Sequence, residues 1–352
     1  MPDQTAIAAG IKCEGNPLPP QVMGARVEIM VESRLDLPGS FCLTFADPSL
    51  DFIDKAKGSL REGIQLEISL GYEKDLKTLI TGEISTVGAE MSSLGSYVRV
   101  AGYDLLHRLA RGTNFRHYES SDSQAKATSD SRIAEELAKA VGLNLKFKET
   151  LSRDIPRSQD NRSDMDFIVM LARLNGYYLY CEGNDLFFTD EAPDRGELNF
   201  TWGKDLISFY PRLCLDGMVK TLENRGRDVS LADNYFEKID RADLAFLSAE
   251  GQAMLNRGSG GRSSKDRSIL NLYETMVGDA NDAKPFITGF MRDHQALVTA
   301  GGSCKGNQNL RAGAKLKIDK AGRFSGTYLV TRAVHRINSS GYITEFDLRM
   351  NL

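Results

Sequence analysis

The chain has 352 residues, 41% of them hydrophobic and 26% charged, enough apolar material for two or three ordinary cores, which excludes a disordered chain. Its 44 basic and 48 acidic residues leave a net charge of -4, which argues against a protein whose task is gripping nucleic acid. The longest apolar run, Phe167 to Ala172, stops at Arg173, far short of the roughly 20 residues of a membrane span. The start, Met1-Pro2-Asp3, has no charged and apolar leader, so synthesis in the cytoplasm without a secretory signal is expected. Cys13, Cys42, Cys181, Cys214 and Cys304 contain no CxxC pair and read as small buried hydrophobes in a reducing compartment.

The first hundred residues alternate. Val27, Ile29 and Val31 share one face, as do Phe41, Leu43 and Phe45, then Ile64, Leu66, Ile68 and Leu70, with a further strand over Tyr97 to Val100. A period of two marks strands with one face on a core and one toward water. Between them Asp47-Pro48 predicts the cap and first turn of a short helix ending near Gly58.

The period then changes. Ile133, Leu137 and Val141 recur every four residues, after Ser129-Asp130 as caps and before Gly142 as a stop. A second helix opens at Ser163 with Asp166 three residues on, a capping-box pair, and carries Phe167, Met170, Leu171 and Leu174 inward up to Asn175-Gly176. Tyr177 to Cys181 and Leu186 to Phe188 flank the turn Glu182 to Asp185 and read as a hairpin. The last 150 or so residues return to strands, broken by helical stretches near Ala242 to Leu255 and Ala280 to His294, with a flexible basic loop over Arg257 to Ser264 between them.

An internal repeat organises these elements. Leu60-Arg61-Glu62-Gly63-Ile64-Gln65-Leu66-Glu67-Ile68 lines up with Leu310-Arg311-Ala312-Gly313-Ala314-Lys315-Leu316-Lys317-Ile318. Gly63 and Gly313 fall where a turn of positive φ enters a strand. Each copy is followed by a strand (Leu79 to Thr86; Tyr328 to His335), a turn and a closing strand, where Gly95-Ser96-Tyr97-Val98 matches Gly341-Tyr342-Ile343-Thr344. The expected fold is α+β, mainly β: two similar antiparallel β-barrel modules, residues 1–115 and 201–352, the second with helical insertions, flanking an inserted α+β domain at 116–200.

Catalytic signatures are missing. His107, His117, His294 and His335 form no HExxH, and His107 and His335 read as structural. Asp164 and Asp166 make a DxD pair in the first turn of a helix, where carboxylates act as caps and favour the dipole. Gly301 to Gly306 lacks the Lys-Ser/Thr ending of a phosphate loop and reads as strand and turn. Arg257, Arg262, Lys265 and Arg267 lack interleaved aromatic residues, and the lone Trp202 reads as a packing residue. No catalytic, metal-binding or cofactor-binding residue is assigned.

Gln159-Asp160-Asn161-Arg162-Ser163-Asp164-Met165-Asp166-Phe167 with Leu171-Ala172-Arg173-Leu174-Asn175-Gly176-Tyr177 resembles the central motif of the phage late control D family. That family comprises tail hub proteins of contractile phages and the hub portion of VgrG. Tyr103-Asp104, His107-Arg108-Leu109, Leu310 to Ile318, Gly326 to Val330, His335, Gly341-Tyr342, Thr344 and Phe346 are similar to its other segments. The resemblance implies a non-enzymatic homotrimeric baseplate hub without cofactors. Its six barrels would form a pseudo-sixfold ring, with the first module facing a hexameric inner tube and the opposite face receiving a trimeric spike. Other baseplate proteins would be further partners, and nucleic acid would enter only as cargo in the channel. VgrG continues into a needle whereas this sequence ends at Asn351-Leu352, so a separate spike protein is the expectation. A tail-associated cell-wall hydrolase and a β-rich ligand-binding module are the alternative readings.

Overall fold

The computed structural model describes residues 6–35, 37–54, 59–73, 75–93, 95–118, 129–151, 156–213, 219, 221–228, 233–240, 269–273, 277–294, 296 and 298–350. The helix predicted near Ala242 to Leu255, the basic loop Arg257 to Ser264 and Cys214 lie outside these residues.

The first module comprises β1 (Ile7–Cys13), β2 (Asn16–Pro17), α1 (Pro20–Gly24), β3 (Arg26–Arg34), β4 (Ser40–Ala46), β5 (Gln65–Tyr72), β6 (Asp75–Ser92) and β7 (Gly95–Asp104). Its antiparallel order is β1-β5-β6-β7-β4-β3. The alternation sends Ile29, Val31, Phe41, Leu43, Phe45, Leu66, Ile68, Leu70, Val98 and Val100 into one core, as a pleated sheet curved around its apolar face requires. Of the helix predicted after Asp47-Pro48 and ending near Gly58, the described residues form a 3-10 turn instead, Asp51–Ile53, and residues 55–58 lie outside the described residues. Leu50 adopts a left-handed conformation with φ +58°, and the Phe52 N–H donates to the Asp47 carboxylate at 2.8 Å.

The chain then builds a central unit: β8 (His117–Tyr118), α2 (Asp130–Ala140), β9 (Asn144–Phe147), β10 (Arg157–Ser158), α3 (Asp164–Leu174), β11 (Tyr178–Glu182) and β12 (Asp185–Thr189). The β11-β12 hairpin is extended by β9, which runs parallel to β12. Helices α2 and α3 lay Ile133, Leu137, Phe167, Ile168 and Leu171 on this small sheet.

β13 (Glu197–Thr201) and β14 (Leu206–Leu213) open the second module. The chain leaves it for a three-stranded sheet, β15 (Thr221–Asp228), β16 (Asp233–Asp240) and β17 (Ile269–Leu272), and for α4 (Ala280–His294). It returns through β18 (Val298–Lys305), β19 (Lys315–Asp319), β20 (Gly326–Asn338) and β21 (Gly341–Met350). The segment between β14 and β18 packs with the central unit: Leu222, Tyr235, Ile239, Ile287 and Met291 share a core with α2 and α3.

The second module has the order β13-β19-β20-β21-β18-β14, so each strand takes the place of its counterpart in the first. The difference lies at one end, where β13 runs parallel to β19 whereas β1 runs antiparallel to β5. The long β20 pairs with β19 over its first residues and with β3 over Arg332 to Ile337. That ladder joins both modules in a single 13-stranded sheet. The protein is mainly β, built on large antiparallel sheets, and among the described residues no helix is long and apolar enough to cross a membrane.

Candidate functional site

The seam where β20 meets β3 is the first candidate. Arg332 Nε lies 2.8 Å from Glu32 Oε1, and Arg336 Nη1 lies 2.8 Å from Glu28 Oε1. Burial would raise the Glu32 carboxyl, but hydrogen bonds and charge from Arg332 and Arg34 outweigh it and hold the group below its ordinary range. Behind the ladder His335 is buried, and burial pushes its imidazole down to about 3, helped by the charge of Arg311. The neutral ring bridges: Nε2–H donates to the Leu310 carbonyl at 3.0 Å, and Nδ1 accepts from the Tyr342 hydroxyl at 2.8 Å. His335 therefore pins the turn that enters β19 to the start of β21.

The turn bearing Gly313 also reaches across the seam. Arg311 Nη2 donates to the Leu79 carbonyl at 3.0 Å, Gln308 Nε2 to the Asp75 carbonyl at 3.0 Å, and the Ala312 N–H to Ser33 Oγ at 3.1 Å. Gly313 has φ +92°, and a Cβ there would stand 2.7 Å from the Pro193 ring; Gly63 has φ +81° with open space around it.

A cleft of about 280 Å³ lies where the two modules meet the β11-β12 hairpin, lined by Thr78, Asp104, Tyr180, Glu182, Arg195 and Arg311 among others. Burial lowers Arg311 to about 10, assisted by the nearby Arg195 charge. Arg195 is paired with Glu182 at 2.6 Å and donates to the Ala312 carbonyl at 2.8 Å. Burial pushes Asp104 up to about 7, against two N–H donors, Gly39 at 2.6 Å and Leu106 at 3.1 Å. Each of the three carboxyl groups that line the cleft thus has partners within the fold: Glu32 with Arg332, Asp104 with the Gly39 and Leu106 N–H groups, and Glu182 with Arg195.

In the central unit, Ser163 Oγ accepts from the Asp166 N–H at 3.0 Å and donates to Asp166 Oδ2 at 2.7 Å. Asp164, read as a cap, turns out to be the acceptor of a side-chain network instead. Its Oδ1 takes Gln159 Nε2 at 2.6 Å, Asn114 Nδ2 at 2.9 Å and Arg116 Nη1 at 2.5 Å. The segments around residues 114–118 and 159 fold back over the helix start and outcompete its N–H groups for this carboxylate. Asp130 likewise serves a buried pair. Arg157 Nε and Nη2 bind its two oxygens at 2.8 and 3.2 Å, and Asn175 Nδ2 adds a third bond at 2.8 Å.

The other candidates scatter. His107 Nδ1 bonds the Asp104 carbonyl at 2.7 Å, and His294 stacks on Phe290. Trp202, expected to pack, is 45% exposed, because it sits in the turn between β13 and β14. Of the described cysteines only Cys304 is buried; Cys13, Cys42 and Cys181 are half-buried and free. Among the described residues no group of three His, Cys, Asp or Glu side chains could hold a metal ion.

No curated protein matches the sequence. Solved structures match along its whole length. The 43 kDa tail protein of prophage MuSo2 from Shewanella oneidensis is 13% identical, covers 97% of this chain and 98% of its own, and superposes with a TM-score of 0.68. The tail protein from Neisseria meningitidis MC58 is 10% identical, with 98% and 96% covered and a TM-score of 0.67. The E. coli c3393 protein, a component of the type VI secretion system described as similar to T4 tail proteins gp27 and gp5, is 14% identical, with 96% and 76% covered and a TM-score of 0.56. At these identities the likeness is one of fold. The family model described as the Alg8 N-terminal domain matches residues 3–339, nearly the whole of this architecture, and the chain belongs to that family.

Proposed function

We propose that the protein is a structural component of a tail or injection apparatus, a baseplate hub of the late control D kind. Three copies would present six β modules as a pseudo-sixfold ring, one face meeting a hexameric inner tube and the other a trimeric spike, with further baseplate proteins around it and DNA or protein cargo passing through the channel. The observation that carries this reading is the duplicated module: one strand order occurs twice in a chain whose fold spans whole tail proteins. A duplicated module in a trimer adapts a threefold partner to a sixfold one. The committed state of the carboxylates in the seam cleft supports a mechanical rather than a hydrolytic role. The test is co-assembly. Mixed with the tube protein of its own particle, the chain is expected to cap tube ends in electron micrographs. Tubes that grow with bare ends in its presence would overturn the reading.

A further inference from the structure

The two modules share register as well as order. In β6 the ladder to β7 slips at Ser85, between Ile84 and Thr86; in β20 the ladder to β21 slips at Thr331, between Val330 and Arg332. The ladders of β3 and β14 to their neighbours slip at Val27 and Ile207. A bulge marks register, so the residues around these points correspond singly. Val87, Ala89 and Met91 of β6 stand for Ala333, His335 and Ile337 of β20. Phe209, Pro211 and Leu213 of β14 stand for Ile29, Val31 and Ser33 of β3.

In the second module these positions are covered: Ala333, His335 and Ile337 pair with Ser33, Val31 and Ile29. In the first module they are not. Beyond Glu83, no strand among the described residues lies on the edge of β6 that faces away from β7. Ile337 is 6% exposed and its counterpart Met91 is 70% exposed. The outer edge of β14 carries no described strand either, and Tyr210 and Ile207 there are 71% and 60% exposed. An open edge set with apolar side chains is a template for another strand, and the chain already contains the strand that fits each of these edges.

We infer that β6 of one copy pairs with β14 of a second copy, repeating between chains the β20–β3 ladder found within one. The register is Val87 with Leu213, Ala89 with Pro211 and Met91 with Phe209. Met91 settles against Phe209 as Ile337 does against Ile29. Pro211 stands in the place of Val31 and has no N–H, so the ladder between copies lacks one bond that the internal ladder has. The contact is head-to-tail, so each copy offers one edge and accepts the other, and a ring leaves neither exposed. The copy number of three comes from the reading above, whereas the pairing rests on the repeat alone.

The test is a cysteine pair. Glu90 and Tyr210 correspond to Arg336 and Met30. In the internal ladder Leu35 N–H donates to the Thr331 carbonyl, which makes the Arg336–Met30 pair a non-hydrogen-bonded one. Such pairs bring Cα atoms to about 4.5 Å, within disulfide reach. Under mild oxidation the double variant Glu90→Cys with Tyr210→Cys is expected to form covalent multimers on a non-reducing gel. Val87→Cys with Phe209→Cys, four residues out of register, is expected to stay at the level of the unmodified chain with its native cysteines. Met91→Lys, at an exposed position, should lower the native mass. A trimer without the 90–210 link overturns the pairing and leaves the hub reading standing. Links at the shifted pair alone, or a chain monomeric at every concentration, also overturn the pairing, and tube capping then decides the hub reading separately.

Discussion

Two buried groups govern local stability at the scale of single residues. Arg157 and Asp130 form a bidentate pair inside the central unit, with Asn175 completing the carboxylate. Removing one member of such a pair strands the other in a medium that solvates it poorly. Arg157→Ala is therefore expected to cost about 3–5 kcal/mol, read as a lowered urea midpoint with an unchanged slope; a loss below about 1 kcal/mol, the worth of an exposed pair, would contradict this. Asp104 works in the opposite sense to most carboxylates. Its proton is held more tightly in the folded chain, up to about 7, than in the unfolded one, where an Asp titrates near ~3.9. Its contribution is whole below the unfolded value and is lost as pH rises through the folded one. The wild type should thus lose stability relative to Asp104→Asn between about pH 4 and pH 7, the span between the unfolded and folded values. Parallel curves for the two proteins would refute the assignment. Neither Arg157 nor the network on Asp164 was legible in the sequence, because Asp130, Asn114 and Arg116 lie dozens of residues from the groups they bind and Gln159 reaches Asp164 only through the fold of its loop. Ser163 could be read, since its partner Asp166 sits one helical turn on.

The strands of the two modules were legible wherever one face is wet and the other dry, as in β3, β4 and β5, because that contrast writes a period of two. The repeat was legible through Gly63 and Gly313. Both lie at positive φ, and the Gly313 turn also meets the Pro193 ring. Gly63→Val is expected to cost about 1–3 kcal/mol for the backbone conformation alone. Gly313→Val should cost more, since the Pro193 ring must also move. Equal losses for the two variants in chemical denaturation would show that the ring contact carries no weight. Other elements escaped. β1 reads as Ile-Ala-Ala-Gly-Ile-Lys-Cys, too poor in large apolar residues to display alternation. Position in the chain alone puts β15, β16 and α4 within residues 201–352, the second module with its helical insertions. Their apolar faces meet α2 and α3 instead, and a folding-back of that kind leaves no mark in local pattern. The parallel β13–β19 ladder was equally silent, since strand direction is set by the connection and not by the strand.

As a whole molecule, the protein is one module used twice, with a central unit fed by both excursions of the chain. Within the chain the copies are already joined edge to edge along β20 and β3, sealed by Arg332–Glu32, Arg336–Glu28 and the buried His335 bridge. If the inferred contact between copies closes on itself, it makes a ring rather than a filament, and the proposed ring of six modules would take three chains. Light scattering on the purified chain across a concentration range measures this directly. A species of three times the 38.9 kDa chain mass is the predicted result, and a stable dimer, a stable tetramer or a persistent monomer would contradict it.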